Sequence, residues 1–261
     1  MLLNYQTSGY GPSILVLHGL FGNSGNWKSI AGKFSANYQV ITVDLRNHGR
    51  SGWDNDVSYT VMASDIFELM DHLGLNQAIL VGHSMGGKTA MTAALQSPQR
   101  ISGLVVVDIA PVTYQHSHID LINTLLSLDI SSAKNRRDLD AIMAVKIPDS
   151  GLRMFFSQNL VFQNGSFTWR INLDALAHGM TDLTGFPEFD TESFSKPSLF
   201  IYGENSDYVI DEYHHSIEVL FPKAVLEGIA NAGHWVHAES PHKVATSILN
   251  YCDSVTQSGD L

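Results

Sequence analysis

The chain has 261 residues, 44% of them hydrophobic, with one cysteine and a formal net charge of −11 at pH 7. Length and apolar content suffice for one large core, and the acidic balance without a Lys/Arg cluster argues against nucleic acid or an anionic membrane as partner. Cys252 has no second cysteine to pair with; no basic-then-apolar leader and no run of about 18 apolar residues occurs, so neither signal peptide nor membrane span is expected, and a reducing, cytoplasmic setting fits.

The first strand-like run, 14–17, is short and wholly apolar, and His18-Gly19-Leu20-Phe21 follows it. A turn in this place can aim a backbone N–H at a developing oxyanion, which makes Leu20 one candidate donor. His18 reads as a buried residue tying neighbouring loops together, and Phe21 as apolar pocket lining. A second run, 40–43, leads into Asp44-Leu45-Arg46-Asn47-His48-Gly49-Arg50-Ser51, a D-x-R-x-x-G-x-S loop read as structural, and helical periodicity follows over 60–73.

The run 78–81 ends in Gly82-His83-Ser84-Met85-Gly86 and gives way to a helical pattern over 85–97. G-x-S-x-G recurs by chance, but strand, sharp turn and helix around it are the context of a nucleophile elbow. Glycine at 82 and 86 lets strand and helix approach closely, and a serine on so tight a turn is strained, with its hydroxyl lifted above the sheet. Ser84 is therefore the candidate nucleophile. The backbone N–H of Met85, at the positive end of the helix, is the second candidate oxyanion donor.

The next strand, 104–107, ends at Asp108-Ile109-Ala110-Pro111. About 90 residues then intervene before the strand at 198–202, too many for a loop, with helical patterning at 119–128 and 139–145. They read as a helical insertion leaving the carboxyl end of a strand, where open α/β sheets bind ligands, and so as a cap. Phe155 and Phe156 within it, with Met85 and Trp235 outside it, read as apolar lining of a pocket. His116-Ser117-His118-Ile119-Asp120 has the H-x-H-x-D spacing of zinc ligands. Leu121 stands where a further histidine is needed, so pocket lining or surface is the reading and no metal ligand is assigned.

A serine nucleophile needs a base, and the base needs an acid to orient it. His234, in Gly233-His234-Trp235 between the strand at 224–226 and the last helix, holds the place of the base when the order is serine, acid, histidine. Its neighbour His237 lacks the preceding glycine. For the acid there are two candidates. Asp108 lies at a strand terminus, a rigid platform, whereas Asp207 falls one residue late in Gly203-Glu204-Asn205-Ser206-Asp207, where serine occupies the usual offset. Asp108 is preferred. Residues 254–261 are polar and expected to fray.

Short apolar strands alternating with helices mean an α/β fold, a mostly parallel sheet with helices on both faces. Its core falls in two parts, 1–110 and 197–261, with 111–196 as the cap. His18-Gly19-Leu20-Phe21-Gly22, Gly82-His83-Ser84-Met85-Gly86-Gly87-Lys88, Asp108-Ile109-Ala110-Pro111, Trp169-Arg170-Ile171-Asn172-Leu173 and Gly233-His234-Trp235-Val236-His237-Ala238-Glu239 together resemble the YbfF/ABHD11 group of α/β hydrolases. The resemblance implies an α/β-hydrolase fold capped after the sixth strand, and cofactor-free hydrolysis of small-molecule substrates, either short-chain acyl esters or acyl-CoA thioesters. It also implies that the aspartate ending that strand is the triad acid. Serine at 84 argues against epoxide hydrolases and dehalogenases, which use aspartate there. C–C bond hydrolases, cofactor-free haloperoxidases and a ligand-sensing protein on the same scaffold stay open.

Overall fold

A computed structural model of the chain describes residues 1–189 and 192–257. A polar edge strand, β1 (Asn4–Ser8), comes first, and then β2 (Ser13–Leu17), α1 (Lys28–Phe34), β3 (Gln39–Asp44), α2 (Tyr59–His72), β4 (Ala78–His83), α3 (Met85–Gln96) and β5 (Ile101–Val107). The long interval holds α4 (Ile119–Leu126), α5 (Arg136–Ala144), α6 (Ser150–Ser157), β6 (Leu160–Gln163), β7 (Ser166–Trp169), α7 (Leu173–His178) and α8 (Met180–Thr184). The sheet resumes with β8 (Ser198–Gly203), α9 (Asp211–Leu220) and β9 (Ala224–Ile229), followed by α10 (Val236–Glu239) and α11 (Pro241–Gln257).

Seven strands form one sheet in the order β1-β3-β2-β4-β5-β8-β9, all parallel except β1, which pairs antiparallel with β3. Every residue of β2, β4 and β5 is buried, as expected of strands covered on both faces, while the polar residues of β1 suit an edge. Because side chains alternate along a strand, Leu15, Leu17, Leu80 and Val106 join one core with α2 and α3. Val16, Val81, Val105 and Val107 join the other, with α1 and α11. Asp108 directly follows β5, the fifth of the described strands.

The interval 111–196 is not purely helical. β6 and β7 form an antiparallel hairpin whose turn is Asn164-Gly165, both at positive φ (53° and 86°), the conformation that Asn-Gly favours. Its apolar residues, among them Ile122, Leu139, Phe156, Leu160 and Met180, merge with the core on the α2/α3 face of the sheet. Of the stretch 254–261 expected to fray, residues 254–257 belong to α11, which runs to Gln257 with Val255 buried in the core, and 258–261 lie outside the described residues. No helix among the described residues is long and apolar enough to cross a membrane.

Candidate active site

Ser84 sits between β4 and α3 at φ 51°, ψ −117°, a backbone conformation that a non-glycine residue adopts only when its surroundings enforce it. A β-carbon at Gly82 would collide with the Gly86 carbonyl, and one at Gly86 would lie 2.5 Å from the Leu17 carbonyl oxygen. The elbow therefore needs both glycines. Ser84 N–H donates to the Val107 carbonyl (3.0 Å), which ties the turn to the end of β5.

The segments after β5 and β9 bring two further side chains to it. Ser84 Oγ–H donates to His234 Nε2 (3.1 Å), and His234 Nδ1–H donates to Asp108 Oδ2 (2.7 Å). Asp108 is fully buried at φ 53°, one residue beyond β5. A buried carboxylate must be hydrogen-bonded, and Asp108 accepts further from Gly203 N–H (2.9 Å) and from the hydroxyl of Ser206. Asp207 is exposed, and the carboxylate facing His234 is that of Asp108. Sequence reasoning missed Ser206, although its place at the usual acid offset was the available signal.

Other histidines surround His234 without sharing its contacts to Ser84 and Asp108. His83 Nε2–H donates to the His234 carbonyl (2.9 Å), and burial, with His237 next, holds its pKa well below the ordinary imidazole range. His237 stacks on Trp27 (ring centroids 4.7 Å apart, 9° between planes), and burial pushes its pKa down to about 3. Neither contacts Ser84 by hydrogen bond. His18 donates from Nδ1 to the Gly19 carbonyl and accepts Leu45 N–H at Nε2 (3.0 Å), the loop-tying role its sequence position suggested. The Asp44–Ser51 loop is likewise structural in its contacts: Asp44 accepts from Ser24 and Arg50 N–H, and Arg46 makes a two-pronged buried ion pair with Asp65 (2.6 and 2.8 Å).

Two concavities meet at Leu20. A tight cavity of about 30 Å³ is lined by Leu20, Ser84, Met85, Lys88, His118 and Tyr208, among others. A wider groove of about 620 Å³ lies across Leu20, with Phe155, Trp235, Leu152, Met154 and Trp27 in its walls. Met85 is the first residue of α3, so its N–H has no intrahelical acceptor, and Leu20 flanks the same cavity from the turn after β2. The pocket residues read from sequence divide. Phe155 and Trp235 line the groove, but Phe21 and Phe156 line neither concavity. They are 5% and 1% exposed and pack edge to face at 5.4 Å, because Phe21 serves as a strut: its N–H donates to His48 Nε2 and its carbonyl accepts Asn159 Nδ2–H.

Lys88, one turn into α3, is buried with no carboxylate beside it. Its ammonium donates to the carbonyls of Val112, Thr184 and Gly185, and burial pushes its pKa down to about 7. The three acceptors match the three donors of an ammonium and fasten both ends of the insertion to the elbow helix. His116 and His118 are turned to another use: both reach the hydroxyl of Tyr208 (2.8 and 3.3 Å), and among the described residues no three His, Cys, Asp or Glu side chains converge as metal ligands.

Comparison with known proteins identifies the family. The alpha/beta hydrolase family profile matches residues 14–247. The mouse (Mus musculus) sn-1-specific diacylglycerol lipase ABHD11 is 41% identical over 248 residues, 92% of this chain and 80% of that one. Esterase YbfF of Escherichia coli is 35% identical over 239 residues, 91% and 92% of the two chains. A solved marine microorganism esterase superposes with a TM-score of 0.93 at 36% identity, covering 96% of this chain and 99% of its own. These proteins are named esterases and lipases, consistent with a hydrolase of ester bonds. The chain belongs to the α/β-hydrolase family, in the group that holds ABHD11 and the esterase YbfF.

Proposed function

We propose that the chain hydrolyses carboxylic esters of short-chain acyl groups, or the corresponding acyl-CoA thioesters, through an acyl-enzyme on Ser84 and without a cofactor. The observation that carries this reading is the unbroken hydrogen-bond path from Ser84 Oγ through His234 to Asp108. His234 takes the serine proton at Nε2 as Oγ attacks the acyl carbonyl, and the tetrahedral oxyanion is met by the N–H groups of Leu20 and Met85. His234 then gives the proton to the departing alcohol or thiol, and water, activated in the same way, releases the acid. Asp108 fixes the imidazole tautomer and stabilises the imidazolium. Residues 111–196 act as a cap whose Phe155, with Trp235, shapes the substrate groove.

Ser84→Ala should lower ester turnover by about 10⁴-fold or more with the fold intact, and a fluorophosphonate should label the parent protein once. Labelling that persists in the alanine variant would place the nucleophile elsewhere and end this reading.

A further inference from the structure

The H-x-H-x-D segment converges on one side chain. His116 Nε2 and His118 Nε2 lie 2.8 and 3.3 Å from the hydroxyl of Tyr208, which can donate to one ring nitrogen while accepting from the other. Tyr208 in turn lies face to face with His234, centroids 3.9 Å apart and planes 22° from parallel. Its backbone is held as well: Tyr208 N–H donates to Ser206 Oγ (3.3 Å), whose own hydroxyl donates to Asp108, and the Tyr208 carbonyl accepts from Tyr114. One residue is thus tied to the acid by its main chain, to the insertion by its hydroxyl and to the histidine by its ring.

We infer that Tyr208 is a positioning residue for His234, a flat platform that fixes the imidazole plane and favours its protonated form, with His116 and His118 as brackets supplied by the insertion. The inference rests on His234 being the base. The hydrogen bond to Asp108 sets the direction of Nδ1 but leaves the ring free to rock about that axis; a parallel ring at van der Waals distance removes that freedom. An aromatic face carries negative charge density, so it attracts a cation above it, and the imidazolium formed when Ser84 is deprotonated lies in that place. The phenol itself stays protonated, burial raising its pKa to about 12. This use of the paired histidines also explains why their spacing resembles a ligand set while their nitrogens face a hydroxyl.

The test separates ring from hydroxyl. Tyr208→Phe keeps the platform and loses the brackets; Tyr208→Leu loses both. The groups facing His234 are Asp108 at the end of β5, His83 at the end of β4, His237 on α10, and His116 and His118 ahead of α4. All four neighbouring histidines are held below the ordinary imidazole pKa, His118 at about 4 and His237 at about 3, so the acidic limb of kcat/KM reports on the base. Leucine should lower kcat about fivefold to thirtyfold, change KM less than about threefold, and move the acidic limb down by about half a pH unit or more. Phenylalanine should stay within about threefold of the parent with the limb in place. An unmoved limb in the leucine variant, or an equal shift in the phenylalanine variant, overturns the inference. Should the leucine variant not fold, fluorinated phenylalanines at position 208 keep the ring's shape and drain its face of charge. The limb should then descend stepwise with each fluorine, and a flat series overturns the inference. If Ser84→Ala keeps its activity, the failure belongs to the serine mechanism instead.

Discussion

At the scale of single residues, the site was legible where chemistry demands a fixed local pattern. Gly82 and Gly86 announce themselves because a side chain at either would collide with backbone, Ser84 because it stands between them at the turn, and Gly233-His234 by its place after the last strand. The acid was harder to read. Serine at the customary offset left Asp108 and Asp207 as rivals, and only the fold shows that Ser206 supports Asp108 by donating a hydroxyl to its carboxylate. Removing the carboxylate that holds the base costs about 10⁴ in rate, since the imidazole loses both its tautomer and its counter-charge. Asp108→Asn should therefore lower kcat about 10⁴-fold and Asp207→Asn less than about tenfold, measured side by side on one p-nitrophenyl ester. The reverse ranking would mean that the loop after β8 presents Asp207 during turnover. Tyr208 was beyond reach because nothing in a single tyrosine's sequence context tells which ring it faces.

At the scale of elements, the sheet was readable and the insertion only partly so. Buried parallel strands betray themselves as continuous apolar runs, whereas β6 and β7 alternate weakly and pass for part of a helical stretch. Asn164-Gly165 was the overlooked turn signal. The two adjacent phenylalanines of α6 show the same limit, because sequence cannot tell which face of a helix meets solvent. Phe155 lines the groove beside Trp235, while Phe156 is buried against Phe21. Their alanine variants should consequently separate. Phe155→Ala should shift the ratio of activities on short and long acyl chains several-fold per carbon, at about 1 kcal/mol or somewhat more per methylene. Phe156→Ala should instead cost about 3–5 kcal/mol of stability. A chain-length panel and urea unfolding curves distinguish the two; equal effects of both substitutions on selectivity would show that α6 turns its Phe156 face to substrate.

At the scale of the whole molecule, the notable cost is the number of histidines kept neutral inside. Burial pushes His48 and His237 down to about 3, from about 6.5 in an unfolded chain. Their folded pKa values lie below the unfolded ones, so between about pH 6.5 and 3 the unfolded state binds more protons, and stability must fall as pH falls through that window. Each group contributes a slope of about 1.4 kcal/mol per pH unit well inside it, so the pair gives about 2.8 kcal/mol per unit. A second effect runs the other way. The chain carries −11 at pH 7, and protonating its surface relieves self-repulsion, which favours the compact state as pH drops. Surface repulsion is screened over about 8 Å at physiological ionic strength, while the buried imidazoles are shielded from salt, so the histidine term should win. Urea midpoints at moderate salt should therefore fall steadily from pH 7 to pH 5. Midpoints that rise over that interval would show surface repulsion in control and the interior histidines already protonated at little cost.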